Sequence, residues 1–175
     1  MPYTLEELQA GFQHYQDTVQ RAADSGDWNL FVDLFTEDAT YSEHCYGSFD
    51  GREQIRRWAL RTMTAFPGNV MPSFPVAWSV LDPERGWIVC EVRNLLRDPG
   101  DASLHEASNY TRLHYAGPNA AGEHCFSFEE DVYNPAKFQQ AVIGWAVVAD
   151  RCGTLPADGR AWLDAFAPGW QRQSV

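Results

Sequence analysis

The chain has 175 residues, 45% hydrophobic and 14% aromatic, with a formal net charge of −11. That length suits one domain with a terminal extension, and the aromatic content excludes a low-complexity or disordered chain. The acidic balance excludes nucleic acid and anionic membranes as partners, because phosphate-binding surfaces need clustered Lys and Arg.

The one basic cluster, Arg52, Arg56, Arg57 and Arg61, is interleaved with Glu53 and reads as the solvated face of a helix. No apolar run approaches the roughly 18 residues needed to span a bilayer. The N-terminal stretch lacks a charged head followed by an apolar run, so no signal peptide is expected. Cys45, Cys90, Cys125 and Cys152 form no C-x-x-C pair. They predict free thiols in a reducing cytoplasm rather than disulfides or a zinc site.

In chain order, Thr4 and Glu7 form a capping box, and Leu5, Leu8, Phe12, Tyr15 and Val19 recur at helical spacing, giving a helix to about Ala23. Asp24 to Asp27 stop it, and Asp27 is placed to cap a second helix with Trp28, Phe31, Leu34 and Phe35 on one face. A strand is predicted from Ala39 to Tyr46, a glycine turn from Gly47 to Gly51, and a helix from Arg52 to Ala65. Val76–Leu81, Gly86–Arg97, Ser103–Tyr115 and His124–Tyr133 read as four strands with turn-rich connections, hence an antiparallel meander. Asn134-Pro135 opens a helix to about Arg151. The tail, Cys152 to Val175, carries Trp162, Phe166 and Trp170 and is expected to pack on the domain or on a partner subunit. The order is that of an α+β fold, with one domain over residues 1–151 and an extension over 152–175.

The run GDWNLFVDLFTEDATYSEH, followed by G-S-F-D-G-R-E-Q-I, resembles the nuclear transport factor 2-like (SnoaL-like) superfamily over roughly residues 5–150. The resemblance implies a cone-shaped half-barrel whose curved, mostly antiparallel sheet and packed helices enclose an apolar pocket. It also implies a homodimer formed through the outer sheet face. Its members include ketosteroid isomerases, limonene-epoxide hydrolases, scytalone dehydratases, polyketide cyclases and non-catalytic binding modules. In ketosteroid isomerase the strand after an acidic-Asp-Ala-Thr sequence carries a catalytic aspartate, and that position falls on Glu43. The oxyanion-hole acid falls on Asn109, anchored by Thr111-Arg112-Leu113. The tyrosine donor of the first helix falls near Val19, and Tyr15 lies one turn earlier on the same face.

If the strand Ala39–Tyr46 faces that pocket, alternation turns Tyr41, Glu43 and Cys45 inward and Ser42, His44 and Tyr46 outward. A carboxylate among aromatic rings loses hydration and gains a base's affinity for protons. The alternative is a structural ion pair of Glu43 with Arg93. His105 shares the parity of Asn109 and is a candidate for the pocket or for the barrel mouth. Ile88, Cys90, Val92, Asn94 and Leu96 are expected to face the core, leaving Glu91 and Arg93 outside. On the last strand, hydrophobicity puts Phe126 and Phe128 inside, whereas the family register puts Ser127, Glu129 and Asp131 there; both remain open. Trp28, Phe35, Trp58 and Trp78 are expected to wall the pocket.

The histidines show no H-x-x-x-H or H-x-H spacing, so no metal is expected, and no glycine loop calls for a phosphate cofactor. The expectation is an enzyme moving protons on an apolar, oxygenated small molecule without a cofactor: an isomerase, dehydratase, cyclase or epoxide hydrolase. Glu43 would be the base, with Asn109, Tyr15 or Tyr41 donating to a developing oxyanion. The alternative is a non-catalytic module that holds a hydrophobic ligand or dimerises.

Overall fold

The structure is a computed structural model that describes residues 3–172. Helix α1 spans Leu5–Ser25; Thr4 caps it by accepting the Glu7 N–H at 3.0 Å, and Gly26 ends it at φ 73°, a conformation that glycine adopts without strain. Leu8, Phe12 and Tyr15 form its buried stripe. Gly11 lets α1 approach the sheet, since a Cβ there would lie 2.8 Å from the Tyr115 ring.

The second helix is shorter than expected: α2 covers Asn29–Val32, and β1 already begins at Phe35, running to Glu43. Phe35 pairs with the last strand instead of ending a helix, which places its ring in the core at 0% exposure. The predicted glycine turn carries an edge strand, β2 (Gly47–Asp50), which pairs with β1. Helix α3 (Arg52–Met63) follows and buries Ile55, Trp58 and Ala59.

The meander is β3 (Val76–Asp82), β4 (Trp87–Leu95), β5 (Glu106–Pro118) and β6 (His124–Val132). The six strands form one curved, unclosed sheet in the order β2-β1-β6-β5-β4-β3. All pairings are antiparallel except β1 with β6. That single parallel pairing closes the chain's first and last strands side by side. It puts Tyr41 opposite Glu129 and Glu43 opposite Asp131.

Helices α1–α3 pack on the concave face around Phe12, Trp28, Phe35, Trp58 and Leu113. Helix α4 (Pro135–Cys152) starts from Asn134, which accepts the Ala136 and Lys137 N–H groups, and α5 (Ala157–Phe166) folds back against it. Trp145, Leu163 and Trp170 are fully buried in this second cluster, with Phe66, Met71 and Leu96. Among the described residues no helix is long and apolar enough to cross a membrane.

Candidate functional site

The concave face of the sheet and the helices enclose a cavity of about 380 Å³. Side chains reach it from every layer: Tyr15 from α1, Tyr41 and Glu43 from β1, Asn109 and Thr111 from β5, Glu129 and Asp131 from β6. Trp28, Trp58, Phe31 and Phe74 form apolar wall, and Trp162 and Phe166 of α5 also line the space.

The last strand takes part of each expected face because of a bulge: Phe128 stacks on His114 outside the core and Ser127 is exposed. His114 pairs with Phe128 and Tyr115 with Phe126, so Ser127 is the extra residue. Phe126 therefore enters the core while Glu129 and Asp131, of opposite parity, turn into the cavity. These two acids are the site residues that alternation by itself left unassigned.

The carboxyl groups are held by oriented donors. The Tyr15 hydroxyl donates to Glu129 Oε1 at 2.9 Å. The Tyr41 hydroxyl donates to Asp131 Oδ2 at 2.5 Å, and Thr111 and Asn109 donate to Asp131 Oδ1 at 2.5 and 2.8 Å. Asn94 Nδ2 in turn donates to Asn109 Oδ1 at 2.7 Å, which fixes the Asn109 amide so that its N–H groups face Thr111 and Asp131. Glu43 Oε2 accepts the backbone N–H groups of Cys45 and Tyr46, both at 2.7 Å, and so closes the β1–β2 turn. Arg93, the alternative partner, pairs with Glu106 on the other face.

Glu129 differs from its neighbours. It is 2% exposed, and its Oε2 has no hydrogen-bond partner among the described residues. Trp58 Nε1 is likewise unpartnered. Burial, then the nearby Asp131 charge, pushes the Glu129 carboxyl well above the ordinary range. Asp131 is also raised by burial, with the bonds from Thr111, Tyr41 and Asn109 opposing the shift. Tyr15 and Tyr41 are pushed up by burial and by these carboxyls, so both stay protonated donors.

Four of the residues singled out from the sequence, Glu43, Asn109, Tyr15 and Tyr41, meet in the cavity together with Trp28 and Trp58. Three do not. His105 precedes β5, bonds to Ser103 and lies against Gly144 of α4, because the strand's alternation does not extend to it. Trp78 sits on the outer sheet face, 44% exposed, donating to Glu91. Phe35 is packed in the core beside the Phe31 and Tyr41 rings, off the cavity lining. His44, set aside by alternation, points outward to Glu130 at 3.0 Å. Among the described residues no three His, Cys, Asp or Glu side chains converge as metal ligands.

A curved, unclosed sheet wrapped by helices around an apolar cavity defines a protein of the NTF2-like α+β class. The model of the SnoaL-like domain matches residues 8–115, and the chain belongs to that family. Similar solved structures include a protein with a cystatin-like fold from Nostoc punctiforme, with TM-score 0.57 and 12% identity over 78% of this chain and 97% of that one. An NTF2-like protein from Anabaena variabilis has TM-score 0.54 and 12% identity over 77% and 94%. A Catenulispora acidiphila protein in complex with S-DNPA has TM-score 0.53 and 20% identity over 71% and 92%. At these identities the likeness is one of fold. No curated protein matches the chain.

Proposed function

We propose that the chain is an enzyme that transfers protons on an apolar, oxygenated small molecule without a cofactor, as an isomerase, dehydratase, cyclase or epoxide hydrolase does. The observation that carries this is Glu129 Oε2, a buried carboxyl oxygen in the cavity wall with no protein partner. Burial raises the proton affinity of this acid well above that of an ordinary glutamate, and in its protonated form the free oxygen presents an O–H to the ligand. A donor fixed where a substrate oxygen gains negative charge stabilises that charge without reorganisation.

Glu43, two residues along β1 from Tyr41, is the base. It removes a proton from substrate carbon, or from a water that attacks an epoxide carbon as the ring C–O bond breaks; Glu129 stabilises the oxygen that gains negative charge, and the proton returns at another atom or leaves with a departing group. Tyr15, Tyr41 and Asn109 take positioning roles in place of direct oxyanion contacts, because their donors are already committed to Glu129 and Asp131. The Catenulispora neighbour's small-molecule complex supports ligand binding within this fold.

The test is Glu43→Gln assayed on a panel of apolar ketones, alcohols and epoxides. The amide oxygen keeps accepting from Cys45 and Tyr46, so the fold is retained. Turnover should fall about 10²-fold or more, the usual contribution of a general base. Unchanged turnover refutes the assignment. It would favour the non-catalytic binding module, the reading to which the turn-closing bonds of Glu43 lend weight.

The outer face offers a homodimer surface. Trp78, Glu91, Tyr110 and Val132 form one row across four strands, and Trp78, Tyr110 and Val132 are exposed. Sedimentation showing a monomer at micromolar concentration would count against it.

A further inference from the structure

We propose that the cavity takes an apolar amine, bound as its ammonium ion against Glu129 and surrounded by aromatic rings. The inference rests on Glu129 Oε2 being the free polar contact of the cavity, as argued above; an amine bound there meets the ionised carboxylate and occupies the place of the substrate oxygen, so it competes with the oxygenated substrate and is not itself turned over.

Charge is the first argument. Glu43, Glu129 and Asp131 line the cavity, and no Lys, Arg or His is among its described lining residues. An anionic ligand would face these acids without a counter-ion, whereas a cation supplies one to a carboxyl that ionises as it binds. The walls are the second. Tyr15, Trp28, Phe31, Tyr41, Trp58 and Phe74 present ring faces or edges to the space, and aromatic faces attract cations more strongly where water is excluded. The third is the free oxygen itself. Asp131 has both oxygens bonded, and Glu43 has its Oε2 occupied by two N–H groups and its Oε1 left for the role of base, while Glu129 Oε2 is buried with no partner among the described residues.

The titratable groups acting on Glu129 are Tyr15 from α1, Tyr41 from β1, Cys90 from β4 and Asp131 on its own strand. None is basic, so positive charge for this carboxyl must come from the ligand. The proton balance is then defined. An amine already protonated in water makes an N–H⁺ to carboxylate contact, and any proton that burial holds on Glu129 in the free protein leaves to solvent. At most one proton is released for each amine bound.

The experiment is calorimetric titration of the whole chain with naphthylmethylamine, naphthylmethanol and naphthoate, in two buffers of different ionisation enthalpy, for wild type and Glu129→Gln. The amine should bind at least about tenfold more tightly than the alcohol, with naphthoate weakest, and should release up to one proton where the alcohol releases none. Glu129→Gln should abolish the amine's advantage and any proton release. Should that variant fail to fold, the wild-type comparison decides, and an amine that binds no more tightly than the alcohol overturns the proposal. If the alcohol binds as well as the amine and depends on Glu129, the amine assignment falls but Glu129 remains the anchor. If no probe binds, or none depends on Glu129, the anchor falls as well.

Discussion

Glu129→Gln provides a test of the cavity's electrostatics that needs no substrate. Glu129 is 2% exposed and has one hydrogen-bond donor, Tyr15, on one of its two oxygens. Its folded-state pKa is raised well above 4.5, first by burial and then by Asp131. Above the ordinary glutamate range the unfolded chain therefore gives up a proton that the folded chain keeps. The stabilisation is complete below the unfolded pKa and is lost as pH rises towards the folded one.

One retained proton corresponds to a fall of about 1.4 kcal/mol in stability per pH unit. Glutamine cannot ionise, and its amide oxygen still accepts from Tyr15, so the variant lacks this contribution while keeping the bond. Asp131 is raised as well, but it is present in both proteins and largely cancels in the difference. Urea denaturation of the two proteins from about pH 5 to about pH 8 should show the variant gaining on wild type with that slope over the part of the range in which the folded protein keeps the proton. Parallel stability profiles would refute the argument. They would mean that Glu129 is ionised in the folded protein and cannot act as a neutral donor.

Tyr15→Phe removes the donor to Glu129 Oε1 and leaves that oxygen buried and unpaired, at a cost of about 1–3 kcal/mol by denaturation. Because the lost bond opposes the Glu129 shift, the pH dependence of stability should extend to higher pH in this variant. Trp170→Ala, at a 0% exposed position beneath α5, should cost about 3–5 kcal/mol by the same assay. It should also weaken ligand binding, since α5 carries Trp162 and Phe166 into the cavity wall. A loss under about 1 kcal/mol would show that the C-terminal segment is not docked as described.

Several of these groups were legible in the sequence because they depend on local period. Tyr41 and Glu43 share a strand face two residues apart, and Ile88, Cys90 and Val92 turn to the core as their alternation requires. Tyr15 belongs to a helical stripe with Leu8 and Phe12. The second helix misled because Trp28, Phe31, Leu34 and Phe35 satisfy helical spacing, yet Leu34 O accepts the Phe126 N–H and Phe35 enters the sheet. That contact lies some ninety residues away along the chain, out of reach of any local pattern. Trp78 is similar: a short edge strand of mixed residues does not say which side is convex.

What the sequence by itself determined is the α+β order, the opening of α1 and α4 by their caps, and the shared strand face of Tyr41 and Glu43. These depend on neighbours within a few residues. Only the tertiary structure decided the acid at the centre of the site. Glu129 faces the cavity because it pairs with Tyr41 on one side and Leu113 on the other, and the bulge at Ser127 lets Phe126 enter the core on that same side; both are properties of neighbouring strands together. Its raised pKa, its bond to Tyr15 and its free oxygen follow from which elements enclose it, since burial and hydrogen bonding are set by residues far apart in the chain.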